Sequence, residues 1–491
     1  MKTLKIFSIL TACLLLFSRC DDFGDVNRDP DSPSIANTRS LFLAAAGYTS
    51  NFGWMGNYNP WNQLYPQYIT ECTNVQYTKF LLSTFGVSNY YRYAIRNLED
   101  IIRYNQSESD SKETWVSVFG DAGNQIGVAE TLRAFYFMHL TDILGMIPYS
   151  EANKAEEGIY TPKYDTQEFI YADLDKRLTD AYKLFQEEGR LDSEFEIFYN
   201  GDVSKWKKLN ASLRMMMAIK LAKVAPAVAK ERFARAYADG GMTDNRDLLE
   251  YKYLPENANA NPLWTNMIQD ARKDFVPCAQ IVDQLKAFND PRLKAYCVPN
   301  EKGKYRAIPF GTLSEVLSTE WQAGTYCNFN PRYYEQDAPW VLITPSYIYL
   351  LEAEAAVRGW ITADAEGLYK AGIRASFDQH PETSGYDFDA YYSQSGVKLT
   401  GSPEEKLAKI GLQAWLANYM QDGVEAWSTW RRLGVPLLKP GNANADPTLD
   451  HVPYRLCYSS SDFTTNQANY DAAIAQQGAD SFHTRVWWNS K

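Results

Sequence analysis

Aromatic rings stand beside side-chain amides at two places in the chain. Trp54, Tyr58 and Trp61 surround Asn57 and Asn59; Trp321, Tyr326, Tyr333 and Trp340 surround Gln322 and Asn328, and Trp264 lies between the two groups. A pyranose offers an apolar C–H face that stacks on a ring and a hydroxyl rim that needs donors and acceptors. Rings flanked by Asn, Gln, Asp or Arg supply both, so sugar binding is the chemistry these stretches could do. The candidate contacts are Trp54, Asn57, Tyr58, Trp61, Trp264, Trp321, Gln322 and Tyr326. Any single one of these rings could instead be a core or loop-anchoring residue. The composition favours a surface role for some of them, because 34 Tyr and 13 Trp raise the aromatic content to 14% in a chain with few alternating, strand-like runs.

Catalytic signatures are missing from the sequence: there is no GxSxG elbow, HExxH, P-loop or GxGxxG. The four histidines, His139, His380, His451 and His483, are scattered. His139 falls on an apolar helix face, where a satisfied core imidazole is expected, and neither a metal site nor a cofactor is read from the set. Among 60 acidic residues some pair will meet any separation, so paired carboxylates carry no weight. Glu352 and Glu354 point to different faces of one helix, which predicts one solvated carboxylate and one that caps or bridges a neighbour. The run Asp25, Asn27, Asp29, Asp31 imitates a calcium loop, but Pro30 stands where the glycine belongs and Ala36 where the bidentate Glu should be.

Charge and cysteines narrow the classes further. The balance of 60 acidic and 49 basic residues gives a net charge of -11, and no Lys/Arg block tracks a phosphate backbone, so nucleic acid is not an expected partner. Beyond Cys20 the cysteines are Cys72, Cys278, Cys297, Cys327 and Cys457, an odd number without a CxxC pair, which implies neither a disulfide framework nor a zinc site. They read as small buried apolar residues.

The N-terminus carries an export signal: Lys2 and Lys5 precede an apolar stretch from Ile6 to Phe17. At about 12 residues it is too short to span a bilayer, which takes roughly 20. Two cysteines compete for lipidation. LTAC, ending at Cys13, has the small residues a lipoprotein peptidase prefers, whereas FSRC, ending at Cys20, has an unusual Arg19. Length favours Cys20, because cutting at Cys13 leaves too short an apolar core and exposes Leu14 to Phe17. The expected organisation is a signal peptide over 1–19, a lipidated Cys20 with a polar, proline-interrupted tether over 20–34, and one domain over 35–491.

That domain is read as mainly α. Apolar residues recur every three or four positions through Ala122 to Leu144, which stops near Gly145 and Pro148. The same spacing predicts helices over Tyr90 to Tyr104, Thr166 to Phe185, Val203 to Val224, Pro226 to Ala238, Pro345 to Arg358, Ala363 to Phe377 and Pro403 to Trp430. In the pair Ser346 to Gly359 and Ala363 to Asp378, Ala353, Ala356 and Gly359 predict close approach of a helix carrying Ala365, Tyr369 and Ile373, the small-large complementarity of tetratricopeptide hairpins. From about 251 to 340 the period fades, as it does over Asn51 to Pro66 and Gly434 to Tyr458, so loops laid on the helical scaffold carry the binding surface.

Taken in order, several segments resemble the SusD/RagB family of Bacteroidetes, in particular its SusD-like branch of starch-binding proteins associating with the outer membrane. They are DFGDVNRDPDSPS (Asp22 to Ser34), TDILGMIPYSEA (Thr141 to Ala152), PKYDTQEFIYADL (Pro162 to Leu174), DVSKWKKLNASLRMMMAIKL (Asp202 to Leu221), NDPRL (Asn289 to Leu293), LLEAEAAVRG (Leu350 to Gly359) and EAWSTWRRLGVPLL (Glu425 to Leu438). These motifs look like scaffold: Trp206 and Leu213 fit a buried helix face, and Arg431 and Arg432 fit buried or half-buried pairs that fix their helix to its neighbours. The resemblance implies a tetratricopeptide-like helical scaffold with long irregular loops. It also implies a lipoprotein on the outer face of the outer membrane that captures an oligosaccharide and delivers it, without catalysis, to a TonB-dependent SusC-like barrel. Asp21 and Asp22 after Cys20 resemble the acidic signal for surface display. The sugar-contacting loops of the family diverge too far to carry a contact residue across by motif. The same transporter-partner role for a non-glycan nutrient such as peptides is the alternative, and a helical hydrolase is a third reading.

Overall fold

The computed structural model describes residues 36–52, 60–73, 75–81, 84–108 and 115–490. Cys20, the signal segment, the polar tether and the calcium-like run fall outside the described residues, as do Trp54, Asn57 and Tyr58.

Capping chemistry starts most of the helices that the apolar period predicts. The longer ones are α1 (Thr38–Ala46), α2 (Arg96–Gln106), α3 (Ala122–Leu144), α4 (Gln167–Leu184), α5 (Val203–Lys220), α6 (Pro226–Asp239), α7 (Ala279–Ala287), α8 (Pro345–Val357), α9 (Ala365–Asp378), α10 (Pro403–Ala417), α11 (Gly423–Leu433) and α12 (Gln467–Gln477). The side chains of Thr166, Asp202 and Thr344 accept from the first-turn amides of α4, α5 and α8, and Ser402 with Glu405 forms a reciprocal capping box on α10. Pro226 opens α6, where its missing N–H costs nothing.

Successive helices pack as hairpins, α3 on α4, α5 on α6, α8 on α9 and α10 on α11. Contacts of α4 with α5, α5 with α8 and α8 with α10 stack the hairpins, and α11 returns to α3. This is a tetratricopeptide-like helical stack. Short strands tie the connections: β1 (Ile69–Glu71), β2 (Thr84–Phe85), β3 (Ile147–Pro148), β4 (Tyr164–Asp165), β5 (Leu249–Tyr251), β6 (Phe275–Pro277), β7 (Cys297–Val298), β8 (Asn328–Phe329), β9 (Trp340–Ile343) and β10 (Cys457–Tyr458). They pair as β1·β6, β3·β4, β5·β9 and β7·β8, all antiparallel, and as parallel β2·β10.

Four expectations change on folding. The segment from Pro403 to Trp430 is two helices, because Met420 takes a positive φ of 54° and Asp422 caps a new start. Gly359 is exposed and ends α8 at a φ of 69°; the close approach in that hairpin belongs to Gly372, where a Cβ would lie 2.8 Å from Leu350 Cγ. Glu352 and Glu354 are both buried. Glu354 is held by Arg432 at 2.6 Å and Arg358 at 2.9 Å, while burial pushes the Glu352 carboxyl up to about 7. Finally, α3 is buried on nearly every side from Asn124 to Leu144, so it is the central helix rather than a one-faced one.

A helix buried all round must satisfy its polar groups inside the protein. Asp142 near the end of α3 does so by accepting from Lys220 Nζ at 2.6 Å, Tyr171 Oη at 2.5 Å and Trp488 Nε1 at 2.7 Å. Lys220 also donates to Glu425, whose second oxygen accepts from Tyr347 Oη at 2.9 Å. One turn earlier on α3, His139 bonds Phe135 O and Asp422 Oδ2, each at 2.9 Å. Both partners are acceptors, so the imidazolium satisfies the site best. Burial alone would lower its pKa, but the Asp422 carboxylate, helped by Glu425, holds it above the ordinary range.

Lys220→Met strips two buried carboxylates of their cation and is expected to lower the unfolding free energy by about 3–5 kcal/mol, measured by urea denaturation. Lys207→Met, at a partly exposed pair with Glu187, should change it by less than about 0.5 kcal/mol. The His139 contribution follows from its raised folded-state pKa: it is present below the free imidazole value of about 6.5 and is lost as pH rises through the folded value. The stability advantage of the native chain over His139→Gln should therefore shrink as pH is raised from about 6 towards 9. An advantage that grows over that window contradicts the assignment.

Candidate functional site: the loop layer

The insertion from about 251 to 340 leaves and re-enters the helical body at one place, because β5 and β9 pair with Leu249 opposite Ile343 and Tyr251 opposite Trp340. Its start is stitched to the early loop by β1·β6, and its middle is closed by β7·β8. The layer also has a small core of its own, built from Cys72, Val75, Val276, Ile308, Leu317, Tyr326 and Ala443, with Leu313 and Trp321 packed against it. Loops with their own apolar core present their surface side chains in fixed positions.

Among the sequence candidates, Trp264 and Trp321 are half-buried and Gln322 is exposed. Trp264 sits in a helical turn fixed by Asn261, whose Oδ1 accepts from Leu263 N at 2.8 Å and whose Nδ2 donates to Ala338 O at 2.9 Å. Trp321 ends the short helix Ser314–Glu320, and the Arg306 guanidinium lies over its ring at 3.8 Å. Tyr326 is 8% exposed: its ring fills the small core beside Cys72, whose thiol donates to Lys273 O at 3.0 Å. Burial pushes the Cys72 thiol up to about 11, so it stays protonated at neutral pH.

Trp61 is placed otherwise than its neighbourhood of amides suggests. It is 4% exposed and lies edge-on to Tyr65, Phe85 and Trp427 at 5.6 to 6.1 Å, so its ring belongs to the main core and has no face for a ligand. Trp340 is likewise held inside, and the half-buried Tyr333 packs against Tyr419 at 5.9 Å. The structure thus gathers Trp321 and Tyr326 into one patch, with Trp264 in a separate turn of the same layer.

The reading by residue type missed a concavity of about 360 Å³ where the layer meets the end of α7. Tyr305 and Tyr386 line it, with Asn289, Lys294 and Glu382 as polar groups. The NDPRL motif forms its floor. Within that motif Arg292 donates to both oxygens of Asp290, at 3.0 and 2.7 Å, and to Gln413 Oε1 at 2.8 Å and Ser376 Oγ at 3.1 Å, locking the loop onto α9 and α10. The sequence signal was the motif itself, which resembles scaffold, and in the structure its Asp290–Arg292 charges are indeed internal.

Within the described residues, His139, Asp422 and Glu425 bring donors within 4.8 Å of one another, as a metal site would. The ammonium of Lys220 already stands between Glu425 and Asp142, so the cluster is a closed ion network.

Stacked helical hairpins with a self-supporting loop layer define a tetratricopeptide-like scaffold that presents loops. The chain matches the family model described as SusD-like, starch-binding associating with outer membrane, over residues 30–459, and it belongs to that family. Among solved structures, it is similar to a chitin-binding protein with 26% identity and a TM-score of 0.77, over 93% of this chain and 100% of that one. A SusD homolog from Bacteroides fragilis NCTC 9343 is also 26% identical, with a TM-score of 0.77 over 92% of this chain and 100% of that one. A chitin-binding SusD homolog from Flavobacterium johnsoniae shares the fold at 22% identity and a TM-score of 0.73, over 92% of this chain and 97% of that one. No curated protein matches in sequence. Among the described residues, no helix is long and apolar enough to cross a membrane.

These placements separate structural from surface rings. Trp61→Ala should cost about 3–5 kcal/mol of stability, whereas Trp264→Ala and Trp321→Ala should cost less than half of that. Thermal unfolding of the three variants reads the difference, and equal losses at all three would mean that Trp264 and Trp321 are core residues too.

Proposed function

We propose that this protein captures an oligosaccharide at the cell surface on its loop layer and passes it, chemically unchanged, to a TonB-dependent SusC-like barrel in the outer membrane. Membership of a family described as starch-binding carries this reading, and the chitin-binding relative at 26% identity supports a glycan as the ligand class. The loop layer suits it physically. Trp264 and Trp321 offer ring surface, and Gln322 and Arg306 offer polar groups at the rim. Binding proteins of this kind need no reacting group, only surface held in place, which the small core of the layer provides. The lipid anchor at Cys20 belongs to the same reading, followed by a polar tether that keeps the helical body over its transporter while letting it move.

Two measurements test it. Calorimetric titration with chito- and malto-oligosaccharides should show binding, weakened about fivefold by each of Trp264→Ala and Trp321→Ala, since one stacked ring is worth about 1 kcal/mol. If no glycan binds, or both substitutions are silent, the loop-layer assignment is wrong; co-purification of a barrel without any glycan binding would select a peptide or other nutrient. Cys20→Ala should move the folded protein from the membrane fraction to the soluble one, and a variant that stays membrane-bound in cells lacking the barrel contradicts the anchor.

A further inference from the structure

Away from the loop layer a second cleft, of about 440 Å³, opens between the helical turn Tyr90–Ile95 that leads into α2, the β3–β4 connection and the short helix Ser460–Phe463. That is the volume of a site for one or two sugar rings. Its rings are Tyr91, Tyr160 and Tyr164. Tyr160 is 78% exposed, an unusual position for a large aromatic side chain in a protein whose other rings are mostly packed away.

The walls are held by hydrogen bonds that leave the cleft open. Tyr91 Oη donates to Pro148 O, Arg96 Nη1 to Asn153 O at 3.1 Å, and Asn466 Nδ2 to Pro162 O at 2.7 Å. Tyr164 stands edge-on to Tyr458 with centroids 5.5 Å apart. The charges lining the cleft are Arg92, Arg96 and Asp462. Two of them have partners inside the protein, Arg96 through ion pairs and Asp462 through neutral hydrogen-bond donors. Arg96 pairs with Glu156 at 2.7 Å and Asp100 at 3.3 Å, and Asp462 accepts from Val87 N at 2.9 Å and Ser88 Oγ at 2.5 Å. Arg92 is exposed, lies 5.7 Å from the Tyr93 ring and makes no ion pair among the described residues. Asp462 keeps its negative charge but has its oxygens hydrogen-bonded, so the one charged group of this preformed, ring-lined cleft without a hydrogen-bond or ion-pair partner among the described residues is the Arg92 guanidinium, which fits a ligand that is both a sugar and an anion.

We infer that this cleft is a second saccharide subsite, selective for a carboxylated sugar such as a uronic acid, with the sugar face on Tyr160 and the carboxylate on the fork of Arg92. The inference rests on the glycan reading and adds to it a substrate class and a place distinct from the loop layer.

The test is calorimetric titration of the full chain with trigalacturonate and with its methyl ester, in which each carboxylate is replaced by a neutral ester. The acid is expected to bind at least about tenfold more tightly than the ester, the value of one charge-assisted hydrogen bond. Arg92→Ala should erase that preference, Tyr160→Ala should weaken both ligands about fivefold, and Trp264→Ala with Trp321→Ala should leave both unchanged. Because Arg92 and Tyr160 are exposed, thermal unfolding of their variants should match the native chain. Equal binding of acid and ester, no binding of the acid, or a preference that survives Arg92→Ala overturns the subsite. Neutral glycan binding that is weakened by Trp321→Ala would still stand in each of those cases, so the two readings fail separately.

Discussion

The ammonium of Lys220 is where the helical stack closes on itself. It lies between Asp142 of α3 and Glu425 of α11, while Tyr171 of α4, Tyr347 of α8 and Trp488 near the C-terminus complete the hydrogen bonding of the two carboxylates. A buried ion pair gives little stability relative to apolar residues of the same shape, but leaving one of its members alone is costly. Its consequence here is positional: five helices and the C-terminal turn must arrive together, or a charge is stranded. Asp422 extends the constraint, since one oxygen caps α11 and the other holds His139 of α3.

The loop layer depends on that frame at two places. The β5·β9 pair anchors both ends of the insertion beside α8, and the Asp290–Arg292 pair pins its middle to α9 and α10. Between those anchors the layer is free to carry any surface, provided that its small core around Tyr326 and Val276 is kept. This division explains how a family can keep one scaffold and change its ligand: the buried charges fix the helices, and the residues that touch solvent in the loops lie outside their reach.

Helices were the legible part of the sequence because their signals are local. Thr166, Asp202, Pro226 and Ser402 mark starts within one turn of where the structure puts them, and α3 runs from Ala122 to Leu144 as its apolar period predicts. The break between α10 and α11 was hidden, because the apolar pattern continues through Asn418 to Asp422 while the backbone turns at Met420. Long-range pairing was hidden more deeply. Lys220 meets partners 78 and 205 positions away, and no local pattern announces them. The ring candidates divided for the same reason. A tryptophan beside amides in an irregular stretch reads alike whether that stretch lies on the surface, as with Trp321, or dives into the core, as with Trp61. The two tyrosine-lined concavities were not visible, since each joins segments that are far apart in the chain.

Hydrogen exchange with and without a bound chito-oligosaccharide tests most directly the claim that a rigid helical frame presents glycan on its loop layer. Protection should rise in the segments around Trp264 and from Arg306 to Tyr326, while the amides of α3, α5 and α11 keep the same slow exchange in both states. Protection spread over the helical hairpins, or none in the loop layer at saturating ligand, would contradict the account.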